Sequence, residues 1–330
     1  MLKVGLAGAG AIARTFHLPA WTQIRDAHVV AICDTDPEAA REAAAEFQTR
    51  SYPTYDEMLA SEALDIVDIC TPHALHAPQA CQALEHDLHV IVEKPFATNS
   101  VDAAAVVALA RRRNRKVMCA QHQRFRPVTS VARELIADGA LGEIYYARAQ
   151  ALKCRGVPAS GSYTRKCLSG GGPMMDLGSH VIDLAWWLMG CPAPTHVLGR
   201  VMAKIAPHWD VEDFACAQIH FADGAVMSVE TSYLLNGPRD LVQVELYGDR
   251  GGLLWPDLVL TRDENGECRR TTVDVPDATP ASVAELAHFV ECVRENTPTL
   301  VPIEESKIVV DMLAAIYTSS LRRDVVRLSA

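Results

Sequence analysis

The chain is predicted to be an α/β protein followed by an α+β part. The first is a doubly wound parallel sheet over residues 1–122, and the second has a large open, mostly antiparallel sheet over residues 123–330. Three observations predict this. Short apolar runs alternate with longer helical stretches through the first part, the pattern of βαβ units buried on both faces. Past residue 122 the pattern changes to alternating apolar and polar positions joined by short turns, as in antiparallel strands. A length of 330 residues is comfortable for two domains.

The elements follow in order. Leu2 to Ala7 is an apolar run, and Ala11 to about Ile24 reads as the first helix. His28 to Cys33 is a second strand, and Asp36-Pro37-Glu38 opens a second helix with an N-cap and a proline at its first position. Asp65 to Cys70 is a third strand, Pro78 to His86 a helix, and His89 to Val92 a fourth strand. An alanine-rich helix over 100–114 leads to the strand Lys116 to Cys119. The basic run Arg111 to Lys116 ends that helix, where positive charge suits the dipole. In the second part a helix over 128–138 precedes the strand Ile144 to Ala151, and a loop rich in Gly, Ser and Pro covers 156–173. A helix over 174–189 comes next. Alternating strands occupy 195–204, 213–222, 225–234, 241–248 and 258–262, with Ala222-Asp223-Gly224-Ala225 as a hairpin turn. Helices over 281–296 and 304–321 close the chain.

Composition narrows the partners. Hydrophobic residues make up 49% of the chain and the net charge is −10, which disfavours nucleic acid and acidic membrane surfaces. No apolar run approaches the roughly 18 residues that span a bilayer. The first 20 residues hold a lysine, an apolar stretch and small residues, as a signal peptide does, but the glycines at 5, 8 and 10 argue against an export helix. The ten cysteines form no C-x-x-C pair, and Cys33, Cys70 and Cys119 lie in strand-like apolar runs. They read as reduced core thiols, which places the chain in the cytoplasm. His73-x-x-His76 is the only tight histidine pair and lacks supporting ligands, so no metal is expected.

Two motifs carry chemistry in the first part. Gly8-Ala9-Gly10-Ala11-Ile12-Ala13 fits G-x-G-x-x-A between a strand and a helix. The first glycine permits the tight turn, the second lets the backbone approach a pyrophosphate, and the small third residue packs helix on strand. The helix N-terminus offers N–H groups to phosphate. Asp34 follows 24 residues after Gly10, at the end of the second strand, where a carboxylate accepts from an adenosine ribose and repels a 2′-phosphate. This predicts a Rossmann domain binding NAD, with NADP less favoured. Its bland alternative is an Asp34 that only starts a turn. Glu93-Lys94-Pro95 follows the fourth strand, at the sheet edge where ligands of open α/β folds bind. Lys94 there can donate to a substrate oxygen or, with a lowered pKa, take a proton. Spacing alone equally allows a loop salt bridge.

In the second part, Gly170-Gly171-Gly172-Pro173-x-x-Asp176-x-Gly178-x-His180 reads as a glycine-rich turn opening a helix. Asp176 and His180 then stand four apart on one face, with Asp183 three further on. A carboxylate beside an imidazole, which titrates near neutral pH, is suited to proton transfer. A capped helix with a half-buried histidine fits the same pattern.

Together, the glycine fingerprint, Glu93-Lys94-Pro95 and the Asp-x-Gly-x-His helix resemble the glucose–fructose oxidoreductase, inositol dehydrogenase and MocA (Gfo/Idh/MocA) family over essentially the whole chain. The resemblance implies that Lys94, Asp176 and His180 line a substrate pocket as catalytic residues. Thr71-Pro72, His73 and His76 match the family's Thr-Pro and histidine after the third strand, which contact the cofactor. With Gly8, Ala9, Gly10, Ala11, Ile12, Asp34, Glu93 and Lys94 they make up the implied cofactor site. Gln121-His122-Gln123-Arg124-Phe125 resembles another family segment, which adds Gln121 and Arg124 as cofactor contacts, with substrate as the other ligand open to Arg124. A salt bridge at a helix start is the alternative for Arg124. The family's Trp-Arg pair is replaced here by Tyr163-Thr164-Arg165, so Tyr163 and Arg165 become candidates for substrate contact.

The implied activity is NAD-dependent oxidation of a secondary hydroxyl of a sugar, cyclitol or aminoglycoside-type substrate, or the reverse reduction. His180 would act as base, Asp176 would orient, and Lys94 would stabilise the developing alkoxide, with either Lys94 or His180 able to be the final proton acceptor. Two alternatives stay open: a glycosidase using transient oxidation, and a dinucleotide-sensing regulator without turnover. Residues Gly170 to Gly172 are expected to face the substrate, and Asp183 to support the site from behind. The resemblance further implies a homodimer or homotetramer paired through the open sheet, where Leu241, Val242, Val244 and Leu246 are candidate contacts.

Overall fold

In the computed structural model, which describes residues 1–158 and 161–328, the apolar runs of the first part become six parallel strands. These are β1 (Leu2–Ala7), β2 (Ala27–Cys33), β3 (Arg50–Tyr52), β4 (Ile66–Ile69), β5 (His89–Glu93) and β6 (Val117–Ala120). Their spatial order is β3-β2-β1-β4-β5-β6, so the strand order reverses between β1 and β4, the place where open α/β sheets bind ligands beyond the carboxyl ends. Val4, Leu6, Ile32, Ile66, Val67, Ile69, Val90, Ile91 and Val92 are completely buried, as strands covered on both faces require.

Helices connect the strands: α1 (Leu18–Trp21), α2 (Pro37–Glu46), α3 (Tyr55–Ser61), α4 (His73–Glu85) and α5 (Ser100–Arg113). The helix expected over 11–24 ends at Trp21 and contains a π-helical turn at Ala13–His17. Asp36 caps α2 as expected, its carboxylate accepting from the Glu38 and Ala39 amides. Helix α4 begins at His73 rather than Pro78, and it carries Pro78 in its interior. A proline normally marks a first turn. The buried Ala77, Ala80, Ala83 and Leu84 continue the apolar face of α4 through it. Asn114 ends α5 in the left-handed region at φ 51°.

Two compact units divide the chain: residues 1–122 with 279–307, and residues 123–278 with 308–330. The second unit contains α6 (Pro127–Ala137), α7 (Lys166–Ser169) and α8 (Pro173–Leu188), with α9 (Ala281–Glu295) in the first unit and α10 (Ile303–Arg322) running from one to the other. Of the loop predicted over 156–173, residues 159 and 160 lie outside the described residues. The second sheet has nine strands: β7 (Ile144–Leu152), β8 (Pro194–Met202), β9 (Phe214–Phe221), β10 (Val226–Ser232), β11 (Leu241–Gly248), β12 (Gly251–Trp255), β13 (Val259–Glu264), β14 (Glu267–Thr272) and β15 (Val326–Arg327). Their order is β14-β13-β12-β11-β7-β10-β9-β8-β15.

All neighbours in the second sheet are antiparallel except β7 and β10, which pair parallel because the long connection through α8 separates them in sequence. The β9–β10 hairpin turns at Gly224, φ 90°. One face of the sheet is lined by Ala147, Ala149, Val229, Val244 and Leu246, packed in one apolar core with Ile182, Ala185 and Trp186 of α8. The strands β12 and β14 and the short β3 and β15 were not visible as alternation; β14 is exposed along its whole length and buries nothing. Val244 and Leu246 are core residues rather than contacts on the open face, being 0% and 1% exposed. The open face carries Tyr146, Arg148, Gln150, Gln243, Glu245 and Tyr247 in cross-strand register. Arg148 pairs with Glu245 at 3.3 Å and Tyr146 lies against Tyr247 with ring centroids 5.7 Å apart.

All ten cysteines are free thiols, with Cys33, Cys70, Cys119 and Cys292 buried. Among the described residues no helix is long and apolar enough to cross a membrane.

Candidate functional site

At the carboxyl end of β1 the backbone turns through Gly8, φ 94°. A Cβ there would stand 2.7 Å from the Cys70 carbonyl oxygen, so only glycine fits. Gly10 is different: a Cβ would meet nothing within 4 Å. That exposed, open backbone leaves the room a pyrophosphate would need. Ala13 is fully buried against the sheet, as the small third residue of the fingerprint requires. Ala11 and Ile12 lie at the start of the helix that follows. The Asp34 carboxylate accepts from the Ala9 amide at 2.7 Å and from the Asp36 amide at 2.9 Å. The end of β2 is therefore tied to the glycine turn. These residues fit a dinucleotide, and Asp34 is placed where a ribose would meet it.

The turn after β4 is locked to the turn after β5. His76, completely buried, has one ring nitrogen 2.6 Å from the Thr71 carbonyl and the other 2.8 Å from the Pro95 carbonyl. Burial pulls its pKa below the ordinary value, opposed by the two carbonyl acceptors. His76 thus clamps two loops of its own unit, rather than offering a nitrogen outward. The Thr71 hydroxyl is 2.6 Å from the Gln79 side-chain oxygen, Pro72 precedes α4, and His73 opens it with its ring 5.6 Å from that of His76. Gln121 is buried just beyond β6.

Glu93 ends β5 with a buried side chain. One carboxylate oxygen is 3.0 Å from Nε2 of His17, and the other accepts from the Lys94 amide at 3.0 Å. The Glu93 side chain therefore faces inward and positions the backbone of Lys94, instead of reaching a cofactor. Lys94 is 8% exposed, and the Lys94–Pro95 peptide is cis. The other nitrogen of His17 is 2.8 Å from Asp68, which also accepts from Trp21 Nε1 at 2.7 Å. His17, Asp68 and Cys70 form the one group of three donor atoms among the described residues close enough to share a metal. Burial holds the Cys70 thiol protonated, and both other members are already hydrogen-bonded to protein. The cluster is chemically a hydrogen-bond network.

In the second unit the glycine-rich turn is built differently from expectation. Gly170 ends α7 at φ 77°. A Cβ on Gly171 would collide with the Tyr317 hydroxyl, and one on Gly172 with the Glu212 carbonyl. Gly171 and Gly172 therefore make room for the Tyr317 side chain and the Glu212 backbone. Glu212, on the connection between β8 and β9, caps α8 from a distance: its carboxylate accepts from Gly172 N at 2.9 Å, Met174 N at 3.1 Å and Tyr317 OH at 2.7 Å. Tyr317 in turn accepts from Met175 N at 3.1 Å. Burial pushes the Glu212 carboxyl up, partly opposed by these donors.

Asp176, one turn into α8, is 4% exposed and accepts from the Tyr233 hydroxyl at 2.8 Å. Tyr233 is completely buried, and burial together with the Asp176 carboxylate drives its pKa far up, so it is a permanent donor. Tyr163 adds to that shift, which places its phenol near this pair. His180 stands half-buried one turn after Asp176. Arg165 is exposed and bonds to the Gly161 carbonyl at 3.3 Å.

Arg124 has a task other than the expected cofactor contact. Its guanidinium makes a two-pronged pair with Asp183, Nε to Oδ2 at 2.9 Å and Nη2 to Oδ1 at 2.7 Å, and lies over the Trp187 ring at 5.2 Å. Both side chains are completely buried. Asp183 is accordingly an ion-pair partner on the back of α8. Glu212, Tyr233 and Tyr317 escaped the sequence reading because their partners are distant. The one signal was an acidic pair, Glu212-Asp213, immediately before β9.

A turn open at Gly10 and joined to Asp34, followed by a separate sheet with an Asp/His helix, defines a two-domain nucleotide-dependent oxidoreductase. Residues 2–121 match the family model for the oxidoreductase family with an NAD-binding Rossmann fold, and residues 129–254 match the GFO/IDH/MocA C-terminal domain. The chain belongs to the Gfo/Idh/MocA oxidoreductase family. It is 31% identical to the D-glucoside 3-dehydrogenase of Escherichia coli K12, over 97% of this chain and 95% of that protein. It is also similar to a levoglucosan dehydrogenase solved with NADH (25% identity, TM-score 0.90, 99% of both chains). A third match is GenD2 from gentamicin A biosynthesis, solved with NAD (26% identity, TM-score 0.86, 100% of this chain and 97% of that one). The cofactor is NAD.

Proposed function

We propose that this chain is an NAD-dependent dehydrogenase that oxidises a secondary hydroxyl of a sugar or glycoside to a ketone. NAD, when bound, accepts hydride at its nicotinamide. The chain's own residues manage the proton and the charge. Lys94, held at the end of β5, donates to the substrate oxygen as negative charge develops there. His180 takes the hydroxyl proton, and Asp176, kept as an acceptor by Tyr233, orients the hydroxyl or the imidazole. Tyr163 and Arg165 are candidates for contacts to the rest of the sugar. The observation that carries this reading is that Lys94, Asp176 and His180 are all present in a chain whose first unit is an NAD-binding Rossmann fold.

Residues 1–122 supply the dinucleotide site and residues 123–330 the substrate side. Subunits pair as a dimer or tetramer through the polar and aromatic open face of the nine-stranded sheet. The ten free thiols support a cytoplasmic setting.

The test is NADH appearance at 340 nm with methyl glucosides, levoglucosan, myo-inositol and amino sugars. Lys94→Ala and His180→Ala are each expected to lose turnover by at least about a hundredfold while still binding NAD. Near-normal turnover in either variant overturns that residue's role.

A further inference from the structure

We propose that His17 is a positioning residue for Lys94, an imidazolium wedged between Asp68 and Glu93 that keeps the Glu93 carboxylate on the Lys94 amide. Three independent features meet at this residue. The first is its place in the chain. His17 closes the π-helical turn in the helix that follows the glycine turn, so it is carried by the element whose N-terminus faces the proposed dinucleotide site. Turns of this kind insert one extra residue and are frequent at functional sites.

The second is the hydrogen-bond chain, which crosses the sheet from β4 to β5. Asp68 accepts from His17 at 2.8 Å, the far nitrogen of His17 reaches Glu93 at 3.0 Å, and the other Glu93 oxygen receives the Lys94 N–H at 3.0 Å. Both ring nitrogens face carboxylate oxygens, so the ring donates twice and is charged. His17, Asp68 and Glu93 are 4%, 0% and 7% exposed, and a carboxylate buried that deeply needs a charged partner.

The third is the cavity beside the pair, lined by Phe16, His17, Glu93, His122 and Glu285. The remaining titratable groups around Glu93 are thus Lys94 next in sequence, His122 after β6, Glu285 on α9, and Cys70 beside Asp68. Burial alone would push the Glu93 carboxyl up. The His17 hydrogen bond and charge outweigh burial and, with Lys94 and His122, hold it at about 2. Glu93 is therefore ionised at every working pH, and its grip on the Lys94 amide does not vary.

Removing His17 removes that grip in a readable way. In His17→Gln the Glu93 carboxyl keeps its burial and loses its cation, so its pKa rises above the ordinary value of 4.5. As pH falls through that raised value, Glu93 takes a proton and the Lys94 amide loses its acceptor. The chemistry of Lys94 is that of the proposed function, and this inference rests on that reading for its effect on turnover. Its structural half does not.

Glu93–Lys94 is the only Glu–Lys pair in the chain, so carbonyl-13C glutamate with 15N lysine labels one amide, that of Lys94. Between pH 5 and 8 this amide resonance is expected to stay fixed in the wild type and to titrate in His17→Gln. The titration should disappear in His17→Gln/Glu93→Gln, which lacks the Glu93 carboxyl. Turnover of methyl glucoside with saturating NAD is expected to fall about tenfold in His17→Gln at pH 8 and further toward pH 5, with the NAD Kd changed less than threefold. A residue that only stabilised the fold would lower Tm and leave the resonance and the pH profile unchanged. If His17→Gln does not fold, Glu93→Gln carries the test: it must lose turnover about tenfold at every pH.

A Lys94 amide that does not titrate in His17→Gln overturns the inference, as does wild-type turnover in Glu93→Gln. If Lys94→Ala itself turns over normally, the role of Lys94 fails instead, and the amide titration still decides the role of His17.

Discussion

In the parallel-sheet unit, candidate residues stand at the ends of consecutive strands, and most are held by near neighbours in the same crevice. Gly8 turns against Cys70, Asp34 accepts from Ala9, and Glu93 accepts from the residue that follows it. In the second unit, Asp176 and His180 share one helix whose first turn is held by residues distant in sequence. Its first turn is capped by Glu212, 40 residues from Gly172, and by Tyr317, 142 residues from Met175. Tyr233 reaches Asp176 across 57 residues, and Asp183 on the same helix is pinned by Arg124. A nucleotide turn is thus written in a few consecutive residues, whereas a substrate-side helix is positioned by the tertiary fold.

The largest effect that sharpens this contrast concerns Arg124. Asp183→Ala leaves a completely buried guanidinium without its carboxylate and should cost about 3–5 kcal/mol in urea unfolding. Replacing both partners, Arg124→Met with Asp183→Leu, should recover most of that loss with the NAD Kd unchanged. A tenfold weaker Kd in the double variant would return Arg124 to the cofactor site.

Glu212→Gln is expected to cost about 1–3 kcal/mol, because an amide nitrogen replaces one oxygen facing three donors. Turnover should fall with it as the first turn of α8 loosens, whereas NAD binding should not change. Equal damage to NAD binding would mean that the cap does not act on the substrate side alone.

Asp34→Ser tests the local end of the contrast. It removes the acceptor of the Ala9 amide and the carboxylate that repels a 2′-phosphate, so the ratio of NADP to NAD use should rise by about tenfold or more. An unchanged ratio would reduce Asp34 to a turn residue.

The smallest effect is a pH dependence in the first unit. Burial, with Arg115 and Lys116, lowers the His89 pKa to about 4, while its Nδ1 accepts from the Lys116 amide at 3.0 Å. A histidine depressed in the folded state contributes stability above its ordinary value of 6.5 that is lost as pH falls toward 4. Tm should therefore fall between pH 6.5 and 4, and less steeply in His89→Asn. Equal slopes would assign the acid loss to other groups.

What was legible in the sequence follows the same division. Gly8, Gly10 and Asp34 were readable because the strand–turn–helix fingerprint places each residue type at a fixed offset, and the structure shows Gly8 in the turn and Asp34 tied back to it. The helix bearing Asp176 and His180 was readable from its glycines and proline, although the purpose of Gly171 and Gly172 was not. They make room for Tyr317 and Glu212, and no local pattern announces a partner that arrives from another strand or helix. The inward turn of Glu93 was hidden for the same reason: His17 reaches it from 76 residues away. Strand β14, exposed throughout, left no hydrophobic alternation to find.

The central claim is a hydride taken from a sugar carbon with its hydroxyl proton managed by Lys94 and His180. Mass spectrometry of the NADH formed from methyl glucoside deuterated at its ring carbons tests it most directly. The expected result is one deuterium in the nicotinamide with an equimolar keto-glycoside, and none with Lys94→Ala although NAD still binds. Hydrolysis of the glycoside without NADH, or NAD binding with no product from any sugar in the screen, would contradict it.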